Sequence, residues 1–222
     1  MVIDYGHLIM IVISWLGYFV LHSLLASLAL KSLVVRHLPS LMPAYRLVYN
    51  IIALLLLFIP LWLTFARPAE YLWQWQGLSW WIANMLALLA IAGFFWSLKY
   101  YDGQEFMGIR QLKARAKSIE DQESFRLSPL HRFVRHPWYF LGLVLIWSRD
   151  MTPYMLTSAL MMTLYFWIGS RLEEKKLLTY YGERYSVYTH KVAGLIPLPW
   201  RYLSQEEAAR LEKSLPVNPV DQ

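Results

Sequence analysis

Five apolar runs separated by polar segments frame the chain. Residues 7–30, 45–66 and 79–101 are each long enough to supply the roughly 20 apolar residues that cross a bilayer as helix. A fourth run, 138–148, is short. The tight turn 149–153 joins it to a fifth, 154–170, so the two read as a helical hairpin that leans or only just reaches the far side. Between these runs, 31–43 reads as a loop because Pro39 and Pro43 prevent one continuous helix. Pro60 predicts a kink in the second run. Residues 67–77, with Trp73 and Trp75, form a short interfacial link, and 102–135 is the longest polar segment. After the fifth run, 171–192 is polar and helix-prone. Leu177, Tyr181, Tyr185, Tyr188 and Val192 recur at spacings of four, four, three and four, an apolar stripe on a helix lying against something. Gly182 is expected to bend it, Pro197 and Pro199 to end it, and 204–222 to be a solvated, flexible tail. The expected fold is all-α: an integral membrane protein of five transmembrane helices with a C-terminal helical hairpin and a cytoplasmic helical tail.

Composition agrees with a membrane protein. The 222 residues are 57% hydrophobic and 16% charged, well below the quarter typical of soluble domains. Eleven Trp and fifteen Tyr suit rings at headgroup level. The absence of cysteine excludes disulfides, cysteine-ligated zinc and a cysteine nucleophile. The net charge of +6 reads as lysine and arginine marking cytoplasmic loops, not as a nucleic-acid surface. Those residues concentrate in the first and third loops and the tail. The expected orientation therefore has the N-terminus outside and the C-terminus in the cytoplasm. The first run has no preceding basic region and no small-residue cleavage site, so it reads as a retained helix.

Candidate chemistry gathers at two places. Arg126, His131, Arg132, Arg135 and His136 crowd the mouth of the fourth run. Pro137 holds His136 extended, and the helix that follows opens with free backbone N–H groups flanked by the rings of Trp138 and Tyr139. The second place is Arg171-Leu-Glu-Glu174, just past the fifth run. A carboxylate at mid-bilayer costs roughly 2.5–3.5 kcal/mol, and a cation offsets it. One glutamate can face the core while its neighbour faces solvent, although a solvated pair between Glu173 and Lys176 is the plainer alternative. A sulfonium would be well matched by a carboxylate and aromatic faces. Near the end of the first run, His22, Ser23 and Ser27 offer polar groups that serve either helix packing or a site. Arg46, at the start of the second, can snorkel to the interface.

The segment Arg135-His-Pro-Trp-Tyr139 resembles the Arg-His-Pro-x-Tyr motif of isoprenylcysteine carboxyl methyltransferases and their bacterial relatives. Glu173-Glu-x-x-Leu177, followed by Tyr181-Gly182, Tyr185, Tyr188, Val192 and Pro197, resembles that family's second motif. The two stand in the right order with one hairpin between them and cover about the last hundred residues. The resemblance implies an integral membrane enzyme using S-adenosylmethionine. It also implies that His136, Pro137, Trp138, Tyr139 and Glu173 hold that cofactor, with Gln111 and the stretch 123–131, including Phe125, Arg126 and His131, closing over it. His131 stands where the pattern usually has tyrosine, so a ring contact and a proton acceptor are both open to it. With Arg171 it is a candidate catalytic group. The carboxyl methyltransferases place an arginine four residues before the first glutamate; here that position is Gly169, which makes a prenylcysteine carboxylate a doubtful acceptor.

Phe106-Met-Gly-Ile-Arg-Gln111, Ile146-Trp-Ser-Arg-Asp-Met-Thr152 and Leu172-Glu-Glu174 are similar to the bacterial methanethiol S-methyltransferase group, as are His22-Ser23 and Tyr45-Arg46. This implies a small thiol or lipophilic acceptor, roles for His22 and Arg46 in binding it, contact with membrane lipid, no metal, and a bacterial inner membrane. It divides the chain into a three-helix membrane region, 1–101, a methyltransferase core, 102–203, and the tail, 204–222. Two other resemblances compete. His22-Ser23, Ala26-Ser27 and Tyr45-Arg46 also look like the family that includes plant ζ-carotene isomerases, which implies haem b between His22 and His136. The Arg-His-Pro-x-Tyr region is shared with sterol reductases, whose full set of spans needs a longer chain.

Overall fold

The structure, a computed structural model, describes residues 3–117 and 127–214. Among them are nine α-helices: α1 Tyr5–Ala26, α2 Leu28–His37, α3 Met42–Phe65, α4 Gly77–Leu98, α5 Gly103–Met107, α6 Ile109–Lys113, α7 Pro137–Trp147, α8 Pro153–Lys191 and α9 Gln205–Ser214. A 3₁₀ turn spans Pro129–Arg132, and there is no strand among the described residues. The all-α expectation holds. Helices α1, α3 and α4 are long and apolar enough to cross a membrane, whereas α7 has eleven residues, about 16 Å of rise against a hydrocarbon core of about 30 Å.

Two compact units emerge. The first comprises Met1–Trp73, Asp102–Ser124 and Asp150–Met162. Its first helix is capped by Asp4, whose carboxylate accepts from the His7 N–H and pairs with Arg67. The run expected to continue to residue 30 ends earlier, at Ala26. Ser27 adopts an extended backbone, donates its hydroxyl to Leu24 O and caps the next helix by accepting from Leu30 N. The expected loop 31–43 is therefore largely α2, and Pro43 sits in the first turn of α3, where its missing N–H costs nothing. Pro60 lies inside an unbroken α3. Its carbonyl accepts from Thr64 Oγ1 at 2.7 Å, Thr64 meets Ser158 Oγ at 2.6 Å, and Trp15 Nε1 donates to Ser158 at 2.9 Å. This relay fixes α1, α3 and the start of α8 around a core of Ile11, Trp15 and Tyr154.

At the other end of this unit Arg46 Nε and Asn50 Nδ2 both donate to Phe106 O. Gly108 separates α5 from α6 with φ +84, and a Cβ there would stand 2.6 Å from Leu47 N. Gly108→Ala is expected to destabilise the protein by about 2–4 kcal/mol through backbone strain and overpacking, read as a lower unfolding temperature in detergent.

The second unit comprises Gln74–Tyr101, Phe125–Arg149 and Thr163–Gln222. Here α7 packs on α4 through Trp138, whose Nε1 donates to Ser97 Oγ at 2.8 Å and whose ring meets Phe94 and Tyr101. It packs on α8 through Trp147 Nε1 to Thr163 Oγ1 at 3.0 Å, and through Gly142, which leaves room for Phe166. The break at Gly182 is present (φ 55, ψ −132). Past it, Tyr185, Tyr188 and Val192 are buried with Leu203, against Leu127, Leu177, Ala208 and Leu211. The tail is helical over Gln205–Ser214. Leu203 exchanges backbone and side-chain hydrogen bonds with Arg132, and Lys191 pairs with Glu207 at 2.5 Å, which brings α9 onto the stripe.

Candidate functional site

The site in the second unit is built where the chain enters α7 and where α8 leaves its apolar half. Val134 pairs in parallel with Ala193. Arg135 N–H donates to Ala193 O at 2.8 Å and His136 N–H to Gly194 O at 3.2 Å. This short ladder sets the two motif segments side by side. Pro137 then starts α7, and the His136 carbonyl accepts the Phe140 N–H at 3.0 Å.

Around this ladder the charged groups interlock. Arg135 Nε and Nη2 both donate to Glu174 Oε1, at 2.9 and 2.7 Å, and its Nη1 donates to Thr189 O at 2.8 Å and to Val192 O. Arg201 Nη2 reaches Thr189 O and His190 O. The last carbonyls of α8, which have no intrahelical donors, are thus capped by two guanidinium groups. His136 lies between two carboxylates: Nε2 is 3.1 Å from Glu174 Oε1 and Nδ1 is 3.4 Å from Glu173 Oε2. Burial alone would lower the His136 pKa, but the hydrogen bonds and charges of Glu173 and Glu174 outweigh it and hold it above the ordinary value. Burial would raise Glu174, and the hydrogen bonds and charges of His136 and Arg135 hold it below the usual carboxylate range.

The two glutamates are consecutive on one helix and face differently. Glu174 is buried, with 11% of its side chain exposed, whereas Glu173 is 48% exposed. Tyr139 Oη lies 3.5 Å from Glu173 Oε2. Its ring stacks on His136 (5.4 Å, 10°) and on Phe166 (4.9 Å, 6°), so three parallel rings brace the exposed carboxylate. Arg171 is 67% exposed, 4.0 Å from Glu174 Oε2.

His131, in the 3₁₀ turn, is buried. Its Nδ1 accepts the Ser128 N–H at 3.0 Å, so the ring proton is on Nε2. Burial and the charge of His136 push its pKa down to about 4. The ring is neutral near pH 7 and offers a donor at Nε2, not a proton acceptor. Tyr188 Oη donates to His131 O at 2.7 Å. Tyr101, 6.4 Å from the His131 ring, is pushed up to about 12 by burial, with a Ser128 hydrogen bond opposing and the charge of Glu173 adding.

This unit therefore brings together His131, His136, Pro137, Trp138, Tyr139, Arg171 and Glu173. Gln111 (buried), His22 and Arg46 belong to the first unit, where His22 Nε2 shares a 2.7 Å hydrogen bond with Tyr49 Oη. Phe125 and Arg126 lie outside the described residues. Arg135 and Glu174 stand in the two clusters that the sequence shows, but the sequence assigns neither a role, and the other groups are arranged around them. The signal was present. Glu174 stands three residues before Leu177, one step back along the stripe that runs to Val192.

A methanethiol S-methyltransferase of Pseudomonas sp. is 31% identical over 189 residues, covering 79% of this chain and 68% of that protein. The chain belongs to the methanethiol S-methyltransferase family. Methanethiol S-methyltransferase 2 of Bradyrhizobium diazoefficiens is 29% identical over 178 residues, 79% of this chain and 68% of that protein. The methanethiol S-methyltransferase of Pseudomonas deceptionensis is 32% identical over 138 residues, 56% of this chain and 53% of that protein. No family model matches the chain, and no solved structure matches it. As a member of the methanethiol S-methyltransferase family the protein is a methyltransferase. Its site is to be judged as one that moves a methyl group.

Proposed function

We propose that the protein is an integral membrane methyltransferase that uses S-adenosylmethionine to methylate the sulfur of a small or lipophilic thiol. The observation that carries this reading is the meeting of His136 and Glu173, from two motif segments, at 3.4 Å beside the Tyr139 hydroxyl. An exposed carboxylate next to aromatic faces fits a sulfonium cation, and the start of α7 presents backbone N–H groups that suit a carboxylate. When bound, S-adenosylmethionine supplies an electrophilic methyl group. Glu173 attracts and orients positive charge, and Trp138 and Tyr139 shield it from water. His131, with its proton on Nε2, donates a hydrogen bond. Arg171 offers an exposed cation that favours a thiolate over a thiol. A Cβ at Gly169 would lie 3.8 Å from Tyr139 Oη, so its absence leaves room beside that hydroxyl for the acceptor. In this proposal Gln111 contributes to cofactor binding and His22 and Arg46 to acceptor binding, each role tested by its alanine variant.

The same proposal places five spans in the bacterial inner membrane, with α7 and the first half of α8 as a hairpin within it, lipid around the spans, the N-terminus outside and the C-terminus in the cytoplasm. Reporter fusions at the α4–α5 segment and after α9 test the orientation. The haem alternative is weakened by His136, both of whose nitrogens face carboxylates.

Product analysis by mass spectrometry tests the reaction. With methyl-deuterated S-adenosylmethionine and separate methanethiol, larger thiol, prenylcysteine and phospholipid substrates, the label is expected on sulfur in a thiol product. Label only on a carboxyl oxygen or a lipid would overturn the S-methylation reading.

A further inference from the structure

Glu173 is the exposed carboxylate, but its neighbour determines what stands behind it. Glu174 Oε1 gathers three N–H donors: Nε and Nη2 of Arg135 and Nε2 of His136. Once Nε2 is committed there, the His136 ring has one orientation, with Nδ1 toward Glu173. Stacking on Tyr139 fixes the ring plane as well.

We propose that Glu174 is a positioning residue for the methyl donor: by holding His136 through Nε2 it aims Nδ1–H at Glu173 and presents the Glu173 carboxylate to the incoming cation. This rests on the methyltransferase reading above and adds a consequence to it. The His136 imidazolium, 3.4 Å from Glu173 Oε2 through Nδ1, and the cationic ligand compete for one carboxylate. S-Adenosylmethionine carries one net positive charge near neutral pH, from a sulfonium, an ammonium and a carboxylate. Its arrival at Glu173 disfavours the imidazolium, so binding releases a proton from His136.

The charged surroundings of His136 support this assignment. From α8 it faces Glu173 and Glu174, with Arg171 4.0 Å from the second oxygen of Glu174. Arg135 is its chain neighbour and shares Glu174 Oε1. His131, from the 3₁₀ turn, is neutral near pH 7, and Tyr101 keeps its hydroxyl proton there. Two carboxylates hold the imidazolium, and removing one weakens that hold.

The test uses the full chain in detergent. The His136 ring is titrated by NMR with ¹³C-labelled histidine, its signal assigned by its loss in His136→Asn. S-Adenosylmethionine binding is measured by calorimetry in two buffers of different ionisation heat, from about pH 6 to pH 9. Wild-type protein is expected to bind with proton release centred above the ordinary histidine range. In Glu174→Gln both the ring titration and the proton release move to lower pH, by on the order of one pH unit. Glu174→Asp keeps a carboxylate for Arg135 but draws it back from the ring; it is expected to move both curves the same way by less, and it serves if the glutamine variant does not fold. Curves that coincide with wild type while only the unfolding temperature falls would overturn the proposal and leave Glu174 a purely structural group. Binding without any proton release would overturn it too, with the methyltransferase reading untouched. No binding by the wild-type protein would instead remove that reading, and this inference with it.

Discussion

Glu173→Gln is expected to weaken S-adenosylmethionine binding by about 10- to 100-fold with little change in unfolding temperature. The factor follows from the roughly 1.5–3 kcal/mol associated with a hydrogen bond to a charged group. The separation from stability follows from geometry. Glu173 is 48% exposed and, among the described residues, meets His136 Nδ1 and Tyr139 Oη at the long end of hydrogen-bond range, so the fold rests little on it. The amide keeps the shape and removes the charge that a sulfonium would seek. Calorimetry on the purified variant checks it, and unchanged affinity would remove Glu173 from the cofactor site.

Arg135→Ala is expected to act in the opposite sense, on stability first. Arg135 and Glu174 have side chains only 8% and 11% exposed. Removing the guanidinium leaves a buried carboxylate without its bidentate partner and strips donors from Thr189 O and Val192 O. Loss of one partner of a buried pair costs about 3–5 kcal/mol. Reversible unfolding in mixed micelles is the measurement. A loss below about 1 kcal/mol would mean that Arg201 and solvent replace Arg135 at the end of α8.

These two variants also mark how far the sequence could be read. The convergence of His136 with Glu173 was legible because proline, aromatic and carboxylate positions form two compact motifs. The helix over 171–192 and its stripe followed from composition and spacing, and its break from the glycine at 182. What spacing could not show was which glutamate faces inward, because either of two adjacent helical residues can meet a partner that comes from elsewhere in the chain. Arg135 decides it, and its contact with Glu174 spans 39 positions. The role of His131 was open for a similar reason: a backbone donor at Ser128, not the residue type, fixes the ring's proton. The end of the first helix was misplaced because one serine inside a hydrophobic run does not by itself mark a boundary, yet the Ser27 hydroxyl stops one helix and starts another. The place of α9 was not legible because it is polar and short; its docking depends on Leu203, Arg132 and Lys191, none of which lies within it.

Because Phe166, Glu173 and Glu174 are carried on one rod, their relative azimuths are set by residue count alone. Adding a single amino acid between Phe166 and Glu173 would swing everything downstream by about 100° and advance it about 1.5 Å. The stacked rings would keep their place while the acids turned away from them. Adding seven would restore the angle to within about 20° but carry the acids about 10 Å past His136. That short segment can therefore exchange side chains freely on its outer face, but it cannot change length.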